Sequence, residues 1–241
     1  CASGTTPSSG CTVEVSGANY NMAGDISTSS TFGYGIKFTD TESNSLTLTG
    51  DVSTTGINST AIYLDNTSSS TLLMNGDISV SNDDSIGIYL KAYPSDKSAS
   101  NNNITINGDI SLSGIGDVEE NLLLLGKNAS SNNITINGDL IRNQSGTYYN
   151  NVSIKGGSNN TININGNLIQ QGFTTGASIG ISSYDGHIAK NNTINLVGDA
   201  NANIYLGDTN NTINITGNII GGGYKADAVR ISGDSNTLNV E

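Results

Sequence analysis

Apolar and polar residues alternate along short segments of this chain, and a glycine follows each segment. The clearest example is Ile104–Asn107, which reads Ile-Thr-Ile-Asn. Alternation with a period of two is typical of a β-strand that points its apolar side chains to one face. Its two isoleucines are therefore predicted to point inward. Gly108-Asp109 predicts a turn, because glycine accepts backbone angles that other residues avoid, and Ile110–Leu112 predicts a second strand.

This unit recurs eight times, each time as a glycine, then Asp or Asn, then an aliphatic residue. The predicted turn glycines are Gly24, Gly50, Gly76, Gly108, Gly138, Gly166, Gly198 and Gly217. They follow one another at intervals of 19 to 32 residues. Repeats of this length indicate a solenoid, in which each repeat buries its apolar face against its neighbours.

A third apolar segment lies between successive units, as in Ala61–Leu64 and Gly87–Leu90. Three short strands in each repeat predict an all-β fold, a right-handed parallel β-helix of about 8–9 coils. The long, irregular period argues against the left-handed type with six-residue repeats. Asparagine pairs such as Asn132-Asn133 and Asn159-Asn160 precede many strands. They predict a ladder of stacked asparagine side chains, since asparagine tolerates left-handed angles and can bond the next coil.

The predicted boundaries divide the chain into an N-terminal cap, residues 1–16, and β-helix repeats, residues 17–241. Cys1 and Cys11 are the two cysteines, and a disulfide between them would fit an oxidising compartment. The alternative is that Cys1 is a lipidated N-terminus, which would leave Cys11 as a free thiol. Asn236–Glu241 restarts the repeat unit and stops before the expected glycine, so we expect the rod to be truncated within a repeat.

Composition excludes several classes of partner. The formal net charge is −12, with nine Lys and Arg residues against 21 Asp and Glu. Nucleic acids and anionic membranes attract clustered cations, so neither is an expected partner. The sequence has no apolar run of about 18 residues, the length that a membrane helix requires. We therefore expect no direct membrane insertion by this segment.

The repeat phrases Asn210–Ile219 and Asn159–Leu168 carry a resemblance to a known family. Their style, with low lysine content and acidic balance, resembles the passenger domains of Gram-negative bacterial autotransporters, and the likeness extends from Cys11 onward. The resemblance implies the N-terminal part of a secreted right-handed β-helix, exported through the periplasm to the cell surface. It also implies a role in adhesion, autoaggregation or virulence, with a host-cell surface protein or glycan, or another copy, as partner.

Candidate catalytic groups are sparse, and we predict no enzyme and no catalytic residue. His187, the single histidine, lies near Asp185 but is interpreted as an exposed loop residue. Gly233–Asn236 resembles the nucleophile segment of lipolytic esterases except in its fourth residue, and is interpreted as a repeat corner. The acid pairs Asp83-Asp84 and Glu119-Glu120 are interpreted as solvated surface rather than as glycosidase carboxylates.

No cofactor is expected, and one histidine with two cysteines cannot form a closed zinc site. Aspartates that follow five of the turn glycines are predicted to stack and cap turns, with Ca²⁺ as the alternative occupant of this column. These aspartates are Asp25, Asp51, Asp77, Asp109 and Asp139. The cations are interpreted as scattered, with Lys97, Lys127, Arg142, Lys155, Lys190 and Lys225 as examples.

One outward column is the candidate binding strip. The middle residue of each third strand is predicted to face solvent: Lys37, Tyr63, Tyr89, Leu124, Ser153, Gly180, Tyr205 and Arg230. Six of them offer aromatic, aliphatic or cationic contact area: Lys37, Tyr63, Tyr89, Leu124, Tyr205 and Arg230. The competing interpretation is that β-sheet surfaces favour tyrosine. The function favoured is an adhesin or self-association module. A polysaccharide-acting lyase or hydrolase and a passive spacer are the alternatives.

Overall fold

A computed structural model describes residues 10–93, 97–114, 121–143, 150–171, 177–221 and 227–241. These residues form 26 β-strands and no α-helix. All of the strand pairings are parallel, and each strand pairs with its counterpart in the next coil, so three long sheets run along a β-solenoid. The predicted all-β parallel solenoid with three strands per coil is confirmed, while its right-handed winding stays a prediction.

Sheet A contains nine strands from the third segment of each repeat. They are β1 (Cys11–Val13), β4 (Tyr34–Thr39), β7 (Thr60–Asp65), β10 (Ile86–Lys91), β14 (Asn121–Leu125), β18 (Asn150–Lys155), β21 (Ala177–Ser182), β23 (Asn203–Leu206) and β25 (Val229–Ile231).

Sheet B contains the nine strands that precede the turn glycines. They are β2 (Asn19–Ala23), β5 (Ser45–Thr49), β8 (Thr71–Asn75), β12 (Asn103–Asn107), β16 (Asn133–Ile136), β19 (Thr161–Asn165), β22 (Thr193–Val197), β24 (Thr212–Thr216) and β26 (Thr237–Val240).

Sheet C contains six short strands that follow the glycines, and isolated bridges through Leu168, Ala200 and Ile219 continue it. Its strands are β3 (Ile26–Thr28), β6 (Val52–Thr54), β9 (Ile78–Val80), β13 (Ile110–Leu112), β17 (Leu140–Asn143) and β20 (Leu168–Gln171). A two-stranded pairing of β11 (Ala99–Ser100) with β15 (Ala129–Ser130) lies at the corner before sheet B.

Alternation along each strand fills the interior with columns of aliphatic side chains. Ile104 and Ile106 are fully buried, as predicted, and the register stacks Ile104 on Leu72 and Ile134. Burying one such side chain stabilises a fold by about 1.5–3 kcal/mol. One interior column differs: Arg142 lies in register with Leu112 and is 0% exposed. Arg142 was interpreted only as one of several scattered cations, and the structure adds that β17 turns its side chain into the core.

The predicted turn glycines stack directly on one another at the edge between sheets B and C. A Cβ atom at position 138 would lie 2.2 Å from the carbonyl oxygen of Gly108, so side chains are excluded by the neighbouring coil. The predicted turn capping by the acidic column is also present. In each coil after the first, the backbone N–H of the residue that follows the glycine donates to the side-chain Oδ1 at the same position of the preceding coil, as from Asp109 to Asp77 and from Asp139 to Asp109, both at 2.8 Å.

The asparagine ladder predicted from the paired asparagines is present and buried. The backbone N–H and the side-chain Nδ2 of Asn132 both donate to Oδ1 of Asn160, each at 3.0 Å. Asn160 makes the same two bonds to Asn192, and its Nδ2 also donates to the carbonyl of Ala129. The preceding Asn159 takes a left-handed angle, φ +56°. In the Asn159-Asn160 pair the first residue therefore makes the turn and the second the ladder, whereas before Asn132-Asn133 the left-handed residue is Ser131, φ +56°.

At the N-terminal end, sheet A begins at Cys11, inside the segment 1–16 that was predicted as a cap. Cys11 is buried and disulfide-bonded. Cys1, the partner that the sequence predicts, lies outside the described residues, as do Glu119, Glu120 and Lys225. The domain boundary at residue 16 stays a prediction.

Candidate functional site

The predicted strip is a single column on the outer side of sheet A. Register partners connect Lys37 to Tyr63, Tyr63 to Tyr89, and Tyr89 to Leu124. The column continues through Ser153, Gly180, Tyr205 and Arg230. Its alignment is therefore as predicted, but its exposure is not: Tyr63 is 5% and Leu124 is 2% exposed, and Ser153 and Gly180 are also buried.

Tyr63 is buried because its neighbours in the stack cover it. The Tyr34 ring stacks on it with centroids 5.0 Å apart and planes 10° apart, and the Tyr89 ring lies 5.4 Å away on the other side. Lys37 and Lys91 hold their Nζ atoms 5.8 Å and 5.6 Å from the Tyr63 centroid. Burial raises the pKa of Tyr63 far above its ordinary value, and the negative charge of Asp65 raises it further.

The middle of the column is covered by a side chain from the start of β18. The Asn150 amide lies where a Cβ of Gly180 would be, accepts a hydrogen bond from the Ala177 N–H at 2.9 Å, and donates to Ser153 Oγ at 3.4 Å. The column is therefore interrupted by this amide. Beyond it, Arg230 stacks on Tyr205 at 5.8 Å, and the Tyr205 hydroxyl contacts Ser232 Oγ at 3.2 Å.

A second outward column lies two residues further along the same strands. It contains lysines that were not predicted from the sequence to lie close together. Lys91 of β10 and Lys155 of β18 both belong to it, with Asp65 of β7 in register with Lys91. Gly126 follows Leu125, whose register partners are Leu90 and Ile154, so Gly126 lies between the two lysines. The interpretation of Lys127 and Lys155 as scattered is wrong, because coiling brings them to one place.

A pocket of about 230 Å³ opens at that place. We call it the tyrosine–lysine pocket. Leu124 and Gly126 form its floor, and its polar walls comprise three tyrosines and three lysines, with Ala92 completing the lining: Tyr89, Tyr93, Tyr184, Lys91, Lys127 and Lys155. Gly126 keeps the floor open, since a Cβ there would lie 3.1 Å from Tyr89 Cε2 and 3.3 Å from Lys91 Cβ.

A tight hairpin presents Tyr184 to the pocket. Tyr184 and His187 exchange backbone hydrogen bonds at 3.0 Å, and Asp185 and Gly186 between them take φ of +49° and +77°. Two positive φ angles favour Asp-Gly in a two-residue hairpin turn. His187 is half-buried at the base of this hairpin, so its interpretation as a loop residue is correct, although it is less exposed than expected.

The lysines are held close to the tyrosine rings. Lys91 Nζ lies 5.3 Å from the Tyr89 centroid, and Lys127 and Lys155 lie 5.8 Å and 5.7 Å from that of Tyr184. Such contacts are favourable because the face of an aromatic ring carries partial negative charge. Lys127 also forms a salt bridge with Asp185, which raises the pKa of Lys127 and lowers that of Asp185.

The local charge of this surface opposes that of the whole chain. The charged groups on or beside the outer side of sheet A are five lysines and three carboxylates: Lys37, Lys91, Lys97, Lys127 and Lys155 with Asp40, Asp65 and Asp185. These groups leave a local excess of two positive charges on a chain of net charge −12. The sequence signal for the cluster was available: Lys91 and Lys155 follow the strip residues by two positions, the period of one strand face.

The other candidates have structural roles. Gly233–Asn236 is a repeat corner, as interpreted, since the Asp234 N–H donates to the carbonyl of Asp208 and its own carbonyl accepts from Asn210. No group of three or more His, Cys, Asp or Glu residues able to hold a metal ion occurs within the described ranges. Ca²⁺ binding stays an untested prediction. Among the residues that the structure describes, there is no helix long and apolar enough to cross a membrane.

Comparison with known proteins yields no relative: no protein-family model, curated protein or solved structure matches the chain.

Proposed function

We propose that this chain is a non-enzymatic surface module, part of an autotransporter-type passenger, that attaches to an extracellular partner through the outer side of sheet A. The single observation that supports this is the concentration of tyrosines and lysines on that side of an otherwise acidic rod. Tyrosine supplies contact area with a polar tip, and clustered lysines create a local positive potential that attracts an acidic partner.

Attachment is tested with beads coated with the purified chain. We expect coated beads to bind host epithelial cells, to aggregate with one another, or both, and to lose this when Lys37, Lys91 and Lys155 are all changed to glutamine. The control is Lys190→Gln, which removes a cation from an exposed position outside the pocket.

Three outcomes contradict the proposal. Wild-type beads that neither attach nor aggregate would exclude an adhesive role and favour the spacer. Equal attachment by the triple variant would place the contact elsewhere on the rod. Cleavage of any member of a polysaccharide panel by the purified chain would identify an enzyme instead.

A further inference from the structure

The strands of sheet B end in a column of four Asn-Gly pairs, one in each of four successive coils. They are Asn75-Gly76, Asn107-Gly108, Asn137-Gly138 and Asn165-Gly166. All four asparagines are exposed. Asn-Gly is the dipeptide most prone to deamidation, because a glycine has no Cβ to keep its N–H away from the preceding side-chain amide. Since one reactive dipeptide occurs four times, differences in its reactivity report the surrounding structure.

Backbone hydrogen bonds hold these pairs to different degrees. The Asn75–Gly76 peptide group is bonded at both ends: its carbonyl accepts from the Gly50 N–H at 3.0 Å, and its N–H donates to the next coil at 3.1 Å. The Asn107–Gly108 peptide group is bonded through its carbonyl alone, at 3.1 Å. The Asn165–Gly166 peptide group is bonded through its N–H alone, also at 3.1 Å.

The Asn137–Gly138 peptide group is held at neither end. Within the residues that the structure describes, its carbonyl accepts no backbone hydrogen bond and its N–H donates none. Strand β16 ends at Ile136, one position short of β12 and β19, which both include the corresponding asparagine. This peptide group is therefore the freest of the four to turn toward the side chain of Asn137.

The side chain of Asn137 is also placed for the reaction. Its Oδ1 accepts a hydrogen bond from Asn165 Nδ2 at 2.7 Å. A donor at that oxygen stabilises the negative charge that develops on it when a nucleophile adds to Cγ. Asn165 receives no such bond from the column, because its partner in the next coil is Val197. Asn107 makes the same two ladder bonds as Asn137, so these two sites differ in the backbone alone.

We propose that Asn137 is the preferred site of spontaneous deamidation in this rod. The Gly138 nitrogen loses its proton and bonds to Cγ of Asn137, the Cγ–Nδ2 bond breaks, and ammonia leaves with that proton. The resulting succinimide takes up one water at either carbonyl and opens to aspartate or isoaspartate. The net reaction consumes one water and releases one ammonia, and it requires no oxidant, cofactor or enzyme.

Either product weakens the rod at this coil. Both lose the Nδ2 donor that bonds Asn107 Oδ1 at 2.7 Å. Both also add a negative charge two residues before Asp139 of the acidic column, and like charges repel. Isoaspartate further inserts a methylene group into the backbone, which displaces the following turn from its neighbours. Deamidation is therefore a slow, irreversible loosening of one defined coil.

The test incubates the whole folded chain in mildly alkaline buffer and follows each pair by mass spectrometry. Cleavage after Lys and Arg places the four pairs in separate peptides, residues 38–91, 98–127, 128–142 and 156–190. Fragmentation then locates the product and distinguishes isoaspartate from aspartate. We expect Asn137 to react at least about tenfold faster than Asn75, which is the effect of the two backbone hydrogen bonds that hold the Asn75 pair. Asn107 and Asn165 should react at intermediate rates.

Two controls separate the fold from the sequence. In guanidinium chloride the four pairs lose their structural differences and should react at similar rates. Asn137→Thr introduces the residue that already occupies this column at positions 49 and 216. It should abolish the fast phase of ammonia release from the folded chain and leave the other three rates unchanged. Thermal unfolding verifies that the variant is folded.

Equal rates at all four pairs of the folded chain would overturn the proposal, as would a faster reaction at Asn75 or Asn165 than at Asn137. A preference for Asn137 that persists in guanidinium chloride would also overturn it, because the neighbouring sequence and not the free peptide group would then decide the rate. Attachment plays no part in these measurements, so the proposed adhesive function is tested separately.

Discussion

The outer sides of sheets A and B share one backbone geometry but carry different side-chain patterns. On sheet B, like residues stack on like: Asn163, Asn195 and Asn214 form one column, and each amide donates to the preceding one at 2.8 Å. On sheet A, Tyr89 stacks beside Leu124, and Lys91 lies beside Gly126. On sheet B the repeated side chains form hydrogen bonds with one another. On sheet A unlike side chains lie side by side, and they leave a concave surface that carries charge.

This difference separates two uses of one solenoid. A side-chain amide that already donates to one neighbour in the column and accepts from the next has fewer hydrogen-bonding groups left for an external partner. A lysine placed over a ring keeps its hydrogen-bond donors. We therefore expect changes along the stacked columns to alter the free energy of unfolding, and changes on sheet A to alter binding.

The largest effect on stability is expected where the stacking is tightest. Gly138→Ala would place a methyl group 2.2 Å from the Gly108 carbonyl oxygen. Because backbone cannot move aside as a flexible side chain can, we expect a loss of about 4 kcal/mol in the free energy of unfolding. Chemical denaturation measures it.

Asp139→Asn is the matched control for that change. Asparagine already follows the turn glycine at positions 167 and 218 of the same column, where its Nδ2 bonds the neighbouring aspartate. A loss below about 0.5 kcal/mol is expected. If both variants lost equal stability, close backbone packing would not be what distinguishes this column.

The next effect concerns the buried asparagine ladder. Asn160→Ala removes the acceptor for two donors of Asn132 and the donor for the buried carbonyl of Ala129. Unsatisfied buried groups cost about 1–3 kcal/mol each, so a loss of about 3 kcal/mol is expected on urea denaturation. Asn165→Ala deletes one exposed ladder bond, to Asn137 at 2.7 Å, and should cost less than about 1 kcal/mol. Equal losses would show that burial does not decide the value of a ladder bond.

The solenoid could be predicted because its physics is local and repeated. Alternation identifies strands, glycine identifies the bends, and one coil such as Ile104–Leu112 predicts the others. The strip column was predicted to be aligned for the same reason. Its exposure was not, because Tyr63 is covered by residues from the two neighbouring coils and Gly180 by the Asn150 amide.

The pocket depends on contacts between distant parts of the chain, which alternation alone does not contain. Lys127 and Asp185 are 58 residues apart and meet because one lies at the end of β14 and the other on a hairpin two coils away. The Asp185-Gly186 turn was visible in sequence, but its position beside Lys127 was not. Arg142 is a different case, because alternation already contains its inward position: Leu140 points inward, and the residue two positions along a strand shares its face.

A smaller effect depends on pH and sharpens the contrast within sheet A. The pKa of Tyr63 is raised in the fold, first by burial and then by Asp65, whereas an unfolded tyrosine titrates near about 10. The stability linked to the neutral phenol is therefore complete below pH about 10 and is lost as pH rises beyond it. Thermal unfolding between pH about 9 and 11 should show falling stability in the wild type, with a shallower fall in Tyr63→Phe.

The control for that experiment is Tyr205→Phe, the same chemical change in a half-buried tyrosine four coils beyond Tyr89. It should retain the alkaline loss of the wild type. If Tyr63→Phe and Tyr205→Phe behaved alike, the stacked site would have no special part in the alkaline transition.

The smallest effect is expected where the contact surface is proposed. Lys91→Gln and Lys155→Gln each remove a cation 5.3–5.7 Å from a tyrosine centroid on the outer side of the rod. Partly exposed contacts of this kind contribute about 0.5–1 kcal/mol, and relief of repulsion among neighbouring lysines offsets part of that. The free energy of unfolding should therefore change by less than about 0.5 kcal/mol, while attachment in the bead assay falls. A loss of stability as large as that of Asn160→Ala would mean that the lysines hold the rod together, and sheets A and B would then serve the same purpose.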